Sequence, residues 1–432
     1  MSSLVTAITL GRAGFSQPGL RQTLRRLVGP GLLVAVGYID PGNWATDIAG
    51  GTGFGYSLLA VVVISSLLAM AIQSLVVRVT VATGEDLASL TGRLLPRPVA
   101  VLSWAAGEAA ILATALAELV GGAIALRLLF ALPLQAGLAV TALGTIAVML
   151  VSRGHAGLQE KLVNLLIAVV ALSFVALLIA ARPDAGAMVR DVAHAAPLLL
   201  QDHGALLISL GILGATIMPH NLYLHSGLLA ERLRDMPGPT RGAAGAALRT
   251  ATGDTVLSLS LAMLVNGAIL VVAAASLTGG TVAIASLDEA HEAMRLVLGG
   301  AMATVFATAL YAAGQSSAIT GVLAGRILTR GFRGRESRTW LRGIITRVIA
   351  VAIGFVLTTQ RGGESPDTLL VLSQVVLSLA LPFALVPLVA IAARRQVMGR
   401  FALHPAAVLA AAAITALIVG LDLYLLRAAI AG

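Results

Sequence analysis

The sequence contains no cysteine, few aromatic residues and few charged ones. Of its 432 residues, 4% are aromatic and 11% are charged, whereas a soluble domain carries about 25% charged residues. The lack of cysteine excludes disulfides and thiolate metal ligands. Apolar residues make up 58% of the chain, and the mean hydropathy is +0.94. A soluble core cannot bury so much apolar surface, so the composition predicts a protein of the lipid bilayer.

Several functional signatures are also missing. The sequence has no Gly-x-x-x-x-Gly-Lys-Ser/Thr phosphate loop, which excludes direct coupling to ATP by that motif. It has neither His-Glu-x-x-His nor Gly-x-Ser-x-Gly, so nothing indicates a membrane-embedded hydrolase. The net charge of +9 comes from basic residues in short connectors, where a membrane surface explains them better than nucleic acid does. A transporter is therefore favoured, and an ion channel is the alternative.

What the sequence does have is long apolar runs. A membrane-crossing helix needs about 20 mostly apolar residues. Eleven segments meet this requirement: 28–50, 56–77, 98–126, 130–151, 162–181, 204–230, 255–277, 296–325, 343–360, 367–393 and 402–426. Most of the 29 Lys and Arg residues lie in alternate connectors, which predicts a cytoplasmic N-terminus. We predict an all-α polytopic membrane protein with 11 transmembrane helices.

Two of these segments carry proline and polar residues at their centres. The first contains the run Asp40-Pro41-Gly42-Asn43 and the sixth contains Met218-Pro219-His220-Asn221. Proline removes a backbone N–H and clashes with the preceding turn, so each helix should unwind there. Locally satisfied proline kinks are one interpretation. Interrupted helices at the first position of two successive groups of five instead indicate a transporter site at mid-membrane.

The residues at the two breaks suit a divalent metal ion. Asp40 offers an anionic oxygen, Asn43 offers an amide oxygen, and freed carbonyl groups such as those of Gly37 and Ala215 can add more. Met218 offers a thioether sulfur. Oxygen ligands alone suit Mg²⁺, Ca²⁺ or Mn²⁺, and sulfur shifts the preference towards softer metals. The combination predicts Mn²⁺, Fe²⁺, Co²⁺ or Cd²⁺.

Other ionisable residues fall inside the apolar segments. Glu108 and Glu118 in the third segment are candidates for a proton relay from the site, and an ion pair with a basic residue such as Arg347 is the structural alternative. His220 and His225 flank the second break, where a histidine could pass protons or gate the site. A capping or hydrogen-bonding role is the simpler interpretation for His225.

Four motifs together resemble the Nramp family of metal transporters, which includes bacterial manganese transporters. They are GYIDPGNWATDIAGG, ATIMPHNLYLHS, AGQSSAITGVLAGR and LLVLSQVVLSLALPFA. The resemblance implies a LeuT-type inverted 5+5 repeat with helices 1 and 6 broken at the midplane. It also implies that Asp40, Asn43, Met218 and the Ala215 carbonyl bind the metal. Gln315, in the third motif, is a candidate for the lining of the pathway or for helix packing.

The resemblance implies import of Mn²⁺, and also of Fe²⁺, Cd²⁺ and Co²⁺, into the cytoplasm with protons. Ala115 and Ala380 stand where the family usually has an aspartate and a glutamine, so an uncoupled metal uniporter or a channel-like divalent cation permease remains the alternative. We expect no resident cofactor, no nucleic acid, no obligatory protein partner and a location in the inner cell membrane. The expected divisions are a cytoplasmic segment 1–27, repeats 28–200 and 201–398, and an additional span in 399–432.

Overall fold

The computed structural model describes residues 27–151, 156–235, 244–277, 286–334, 339–360 and 366–431. All regular elements in these ranges are helical. The first nine are α1 Pro30–Gly37, α2 Pro41–Phe54, α3 Leu59–Thr83, α4 Leu87–Leu94, α5 Arg97–Phe130, α6 Leu134–Val151, α7 Ala156–Ala181, α8 Ala185–Ala193 and α9 Ala195–Gln201. Apart from Leu27, the predicted N-terminal segment 1–27 lies outside the described residues.

The second half of the chain repeats this organisation. Its helices are α10 His203–Thr216, α11 Pro219–Arg234, α12 Ala244–Leu277, α13 Leu287–Leu298, α14 Gly300–Arg333, α15 Thr339–Gln360, α16 Pro366–Ala380, α17 Pro382–Ala393, α18 Arg395–Met398 and α19 Pro405–Ala431, with a 3-10 turn at Gly399–Phe401 between the last two. The all-α prediction is confirmed. The short helices α4, α8, α9, α13 and α18 lie in connectors, where no helices were predicted.

Each of the eleven predicted segments contains a helix or a pair of consecutive helices, and the number of spans is approximate. Within the described ranges, eight helical segments are long and apolar enough to cross a membrane, and two of them are the consecutive pairs α10–α11 and α16–α17. The number is nine if the bent pair Arg395–Phe401 and Pro405–Leu421 counts as one span. The first segment is divided into α1 and α2, of 8 and 14 residues, which are each too short to qualify. The helix α14 carries Gln315, Ser316 and Ser317 at its middle, which lowers its apolar content.

The first predicted break lies between α1 and α2. The helix α1 ends at Gly37, and α2 begins at Pro41, whose fixed φ and missing N–H suit a first helical position. Asp40 has extended backbone and caps α2, because its side chain accepts a hydrogen bond from the Asn43 amide at 2.9 Å. The first apolar segment therefore unwinds at the proline, as predicted.

The second predicted break lies between α10 and α11. Ile217 and Met218 are extended, and α11 begins at Pro219. The two broken helices then pack against each other in a crossed manner, since α1 contacts α11 and α2 contacts α10. An inverted repeat produces this pairing of opposite halves. The limits 28–200 and 201–398 of the two repeats stay a prediction.

The outer surface of the bundle is apolar, and its interior holds the polar groups. Leu143, Leu172 and Leu264 are each exposed by 65% or more. In a soluble protein such side chains would form a costly hydrophobic surface, whereas in a bilayer they contact lipid. Polar side chains of the broken helices, such as Asp40 and Asn221, are fully buried instead. This arrangement places the site inside the bundle, away from lipid.

Candidate metal-binding site

The first break holds one carboxylate and one amide in direct contact. Asp40 and Asn43 are 0% and 1% exposed. Asp40 Oδ1 accepts hydrogen bonds from the backbone N and from Nδ2 of Asn43, at 2.9 and 2.8 Å. Asp40 Oδ2 has no hydrogen-bond partner. A buried carboxylate oxygen without a partner is unfavourable, and a cation bound at this atom would compensate its charge.

The second break faces the first across the same polar centre. The Nδ2 atom of Asn43 donates to the carbonyl oxygens of Ala215 and Tyr38, both at 3.2 Å. The amide group of Asn43 therefore lies between oxygen atoms of Asp40 and Ala215. A half-turn of this amide would bring Oδ1 to the position now held by NH₂, where it could bind a cation. The structure thus brings Asp40, Asn43 and Ala215 together.

Met218 supplies the soft atom of the second break. Its side chain is fully buried, and its sulfur accepts a hydrogen bond from Asn221 Nδ2 at 3.6 Å. The same amide packs directly against Gly37, where an added Cβ would be only 2.4 Å from Asn221 Nδ2. The two breaks are therefore joined through Asn221, whose Oδ1 has no hydrogen-bond partner. The sequence motif contained Asn221, but nothing in it indicated this contact.

The centre is a mixed set of donors with a single carboxylate. No group of three or more His, Cys, Asp or Glu residues suitable for a metal occurs in the ranges that the structure describes. Carboxylate, amide and carbonyl oxygens with a thioether sulfur suit a divalent metal at the boundary between hard and soft. A second buried carboxylate of α2, Asp47, lies two helical turns beyond Asp40. Sequence reasoning missed Asp47, although a carboxylate inside an apolar segment was the available signal.

A chain of hydrogen bonds connects the first break to His225. The Gln73 side chain of α3 donates from Nε2 to Tyr38 Oη at 3.0 Å, and its Oε1 lies 2.8 Å from His225 Nδ1. On the other side of the ring, Thr255 Oγ1 lies 3.4 Å from Nε2. His225 is therefore held by hydrogen bonds, in agreement with the simpler of its two interpretations. Its role in gating stays a prediction, and Gln73 was not singled out from the sequence.

The third span carries a buried ion pair. Glu118 Oε2 lies 2.7 Å from Arg347 Nη1, and both side chains are 2% exposed or less. Ser317 donates to Glu118 Oε1 at 2.8 Å, and Arg347 also donates to the Ala115 carbonyl at 3.3 Å. The ion pair with Arg347, which was the structural alternative to a proton relay for Glu118, is therefore formed. An ion pair does not by itself assign or exclude a proton-carrying role, so the relay through Glu118 and Arg347 stays a prediction.

His220, the second residue of α11, contacts the helix that carries Glu118. Its Nδ1 is 3.4 Å from Thr114 Oγ1 in α5. Thr114 is four residues before Glu118, so both lie on the same face of the helix. The side chains of Thr114 and Glu118 thus form a polar stripe that leads from His220 to Arg347. This arrangement is compatible with the proton pathway, which stays a prediction.

Glu108 belongs to a second pair, in the N-terminal half of α5. It contacts Arg342 of α15 rather than Arg347, and it accepts a hydrogen bond from Trp104 Nε1 at 3.0 Å. A cavity of about 10 Å³ lies between the two pairs and is lined by Glu118, Arg342 and Arg347 among others. That volume is close to the space needed for one water molecule.

The side chain of Gln315 forms hydrogen bonds with a neighbouring helix. Its Oε1 accepts from Thr145 Oγ1 at 3.1 Å, and its Nε2 donates to the Thr141 carbonyl at 3.3 Å. Both threonines belong to α6. Gln315 therefore joins α14 to α6, which is the helix-packing contact that was one of its two interpretations. Its place in the pathway stays a prediction.

Comparison with known proteins identifies the family. The family model for "Natural resistance-associated macrophage protein-like" proteins, Nramp, matches residues 31–428. The chain belongs to the Nramp family. The divalent metal cation transporter MntH of Brucella suis is 42% identical over 429 residues, which cover 99% of this chain and 92% of that protein. The MntH protein of Nostoc sp. is 43% identical over 401 residues, or 92% of this chain and 90% of the other.

Solved structures support the same fold. The manganese transporter of Eremococcus coleocola, crystallised with an aromatic bis-isothiourea compound, has a TM-score of 0.84 at 33% identity, covering 96% of this chain and 89% of that chain. The protein MhsT, in complex with L-phenylalanine, has a TM-score of 0.51 at 16% identity, covering 96% of this chain and 99% of that one, and shows a common fold only. The Nramp resemblance, the LeuT-type fold and the assignment as a membrane transporter rather than an enzyme are confirmed.

Proposed function

We propose that this Nramp protein imports Mn²⁺, and also Fe²⁺, Co²⁺ and Cd²⁺, into the cytoplasm. The observation that carries the proposal is the unpartnered Asp40 Oδ2 beside the neutral donors of both breaks. Family membership and the relatives named as divalent metal cation transporters support the class of substrate. The choice among metals rests on Met218, whose buried sulfur would favour transition metals over Mg²⁺ and Ca²⁺.

Protons are the proposed co-substrate, with loose coupling. The polar stripe from His220 through Thr114 to Glu118 supports a route between the break and the ion pair with Arg347. Ala115 supplies only its backbone carbonyl to that pair, so this position of the route has no carboxylate of its own. The uncoupled uniporter is the second candidate because of this gap. Gly37, His225 and Gln315 remain candidates for the gate or the pathway.

The proposed setting is the inner cell membrane, with the N-terminus in the cytoplasm and with lipid as the contact of the apolar outer surface. The distribution of the basic residues supports this orientation. We propose that the protein works without a nucleic-acid partner or an obligatory protein partner. It also needs no resident cofactor in this proposal, because metal ions and protons are its substrates.

Uptake measurements in proteoliposomes test the proposed selectivity. Wild type and Met218→Ala are compared for Mn²⁺, Fe²⁺, Cd²⁺, Mg²⁺ and Ca²⁺. We expect the variant to lose most Cd²⁺ uptake, by about tenfold or more, because the sulfur ligand is gone. It should also discriminate less against Ca²⁺ and Mg²⁺, since only oxygen donors remain.

Met149→Ala is the matched control for this experiment. Met149 is a buried methionine of α6 that contacts Gly343, away from both breaks. Its truncation also leaves a cavity, so it reports the cost of lost packing alone. If Met218→Ala keeps the wild-type order of metals, sulfur is not part of the site.

A further inference from the structure

A cleft lies between the helices α5, α14 and α15, and its volume is about 520 Å³. Ligand-binding pockets commonly measure about 300–1,000 Å³, so the cleft is large enough for part of a lipid-sized molecule. Its charged and hydrogen-bonding residues include Trp104, Glu108, Arg333 and Arg342. None of the proposed metal ligands lines it.

The apolar wall of the cleft faces the lipid. Leu341, Ile345 and Ile349 of α15 line the cleft and are 42%, 51% and 43% exposed. These residues recur every four positions, so they form one face of the helix. Exposed apolar side chains of a membrane helix contact acyl chains. A ligand in the cleft can therefore remain in contact with the bilayer.

The polar groups of the cleft lie near one end of the bundle. Trp104 is the eighth residue of α5, Arg333 is the last residue of α14, and Arg342 is the fourth residue of α15. The 34 residues of α5 span about 51 Å, whereas the hydrocarbon core is about 30 Å thick. The terminal turns of α5 therefore reach the headgroup regions, where tryptophan is enriched.

The cleft carries more positive than negative charge. Arg342 forms an ion pair with Glu108, which also accepts a hydrogen bond from Trp104 Nε1 at 3.0 Å. The guanidinium carbon of Arg333 lies 4.3 Å from the centre of the Trp104 ring, and no carboxylate pairs with Arg333 in the described part of the chain. The charge of Arg333 is therefore not compensated. The guanidinium fork is well suited to phosphate oxygens.

We propose that this cleft binds an anionic phospholipid, with the phosphate on Arg333 and one acyl chain along Leu341, Ile345 and Ile349. Trp104 holds the guanidinium group of Arg333 in place through the cation–π contact. A zwitterionic lipid carries no net charge, so the uncompensated arginine selects the anionic one. In the proposed orientation the cleft opens to the cytoplasmic leaflet, whose anionic lipids attract basic residues. The lipid site is independent of which ion the protein carries.

A lipid in this position contacts three helices at once. It meets Trp104 of α5, Arg333 of α14 and Ile345 of α15. A ligand that binds the folded state alone shifts the unfolding equilibrium towards that state. The bound lipid should therefore raise the melting temperature of the protein.

Calorimetric titration of the purified protein in an uncharged detergent tests the proposal. The three ligands are dioctanoyl phosphatidylglycerol, dioctanoyl phosphatidylcholine and inorganic phosphate. We expect phosphatidylglycerol to bind about tenfold more tightly than either of the others, because it alone combines a net negative charge with acyl chains. Inorganic phosphate that binds as tightly as phosphatidylglycerol would indicate a site for free phosphate and overturn the proposal. Equal affinity for the two lipids would overturn it as well.

Two variants separate the charge of the cleft from its apolar wall. Arg333→Gln removes the proposed phosphate contact, and Ile345→Trp fills the path of the acyl chain without changing the charge. We expect each to raise the Kd for phosphatidylglycerol about tenfold and to reduce the rise in melting temperature that this lipid causes. Both residues are exposed, so the melting temperature without lipid should stay at the wild-type value. Wild-type affinity in either variant would overturn the proposal.

Matched controls lie elsewhere on the surface. Arg400 is also an exposed arginine over an aromatic ring, that of Phe401 at 5.0 Å, and Ile179 of α7 is 72% exposed. Neither residue lines the cleft. Arg400→Gln and Ile179→Trp should bind phosphatidylglycerol as the wild type does. A tenfold loss in either control would contradict a defined site, because the lipid would then bind the basic, apolar surface in general.

Discussion

At the scale of the residue, Asp40 combines two tasks that are usually separate. One carboxylate oxygen caps α2 through Asn43, and the other has no partner. The hydrogen bond to Asn43 fixes the direction of the side chain. The carboxylate is also the only negatively charged group among the proposed metal ligands of the two breaks. Affinity for a divalent cation should depend on this charge more than on any neutral donor.

Asp40→Asn separates the two tasks. Asparagine caps a helix about as well as aspartate, so the fold should be retained while the charge is lost. We expect Mn²⁺ uptake in proteoliposomes to fall by about a hundredfold or more, because charge-assisted contacts are the strong ones. The melting temperature in detergent should change little.

Asp86→Asn is the matched control for that variant. Asp86 is equally buried, caps α4 and accepts from the Ser89 amide at 2.9 Å, but it lies outside the breaks. Its replacement should leave Mn²⁺ uptake near the wild-type rate. Comparable uptake by Asp40→Asn and Asp86→Asn would remove the carboxylate from the metal site.

At the scale of the element, each break is a short extended stretch between two helices that pack closely with their neighbours. Three glycines next to the breaks, Gly37, Gly42 and Gly214, each lie against a polar side chain of another helix. The absence of a Cβ is what lets these side chains reach the backbone. The geometry of the breaks therefore depends on small residues as well as on the prolines.

Gly37→Ala tests this dependence. The new methyl group would lie 2.4 Å from Nδ2 of Asn221, so Asn221 must shift, which disturbs its hydrogen bond to the Met218 sulfur. We expect Mn²⁺ uptake to fall about tenfold or more, together with a lower melting temperature. Gly53→Ala in α2 is the control, since no atom lies within 4 Å of the added Cβ and alanine favours the helix. Equal uptake by the two variants would contradict the proposed close packing.

The sequence predicted the elements that local chemistry determines. Proline and polar residues in the middle of an apolar run identify a break whatever surrounds it, so Asp40 and Met218 could be proposed from the sequence. The contacts of Gln374 with Gly42 and of Ser378 with Gly214 could not be proposed, because they depend on which helix packs beside each glycine. Ion-pair partners are equally long-range: the sequence offered Arg347 without deciding whether Glu108 or Glu118 would meet it.

At the scale of the whole molecule, the buried pair of Glu118 and Arg347 joins α5 to α15 on the proposed proton route. Glu118 is already engaged by Arg347 and Ser317, so a proton could bind to it only if its ion pair with Arg347 were given up. Position 115 adds no second carboxylate. Both features argue against tight coupling of protons to metal.

Proteoliposomes that contain a pH dye measure this coupling. We expect Mn²⁺ uptake with less internal acidification than a fixed ratio of protons to metal would give, and we expect Glu118→Gln to reduce the acidification further while metal uptake continues. Acidification in strict proportion to Mn²⁺ under all conditions would contradict loose coupling.

Glu292→Gln is the control for removing a carboxylate. Glu292 is exposed on α13, outside the membrane-spanning helices, and its hydrogen bond from Arg295 lowers the pKa of the carboxyl group. It stays ionised near neutral pH and exchanges no protons there. Its replacement should leave both Mn²⁺ uptake and internal acidification unchanged.

The crossed packing of the broken helices has a consequence for the energy of the cell. Helix α1 packs against α11, and α2 packs against α10. In the proposed transport cycle, each pair would tilt as a unit while the opposite pair stays closed. Under the proposed function, the membrane would then always keep one sealed layer, so that a metal ion could enter without short-circuiting the voltage that the cell maintains across its membrane.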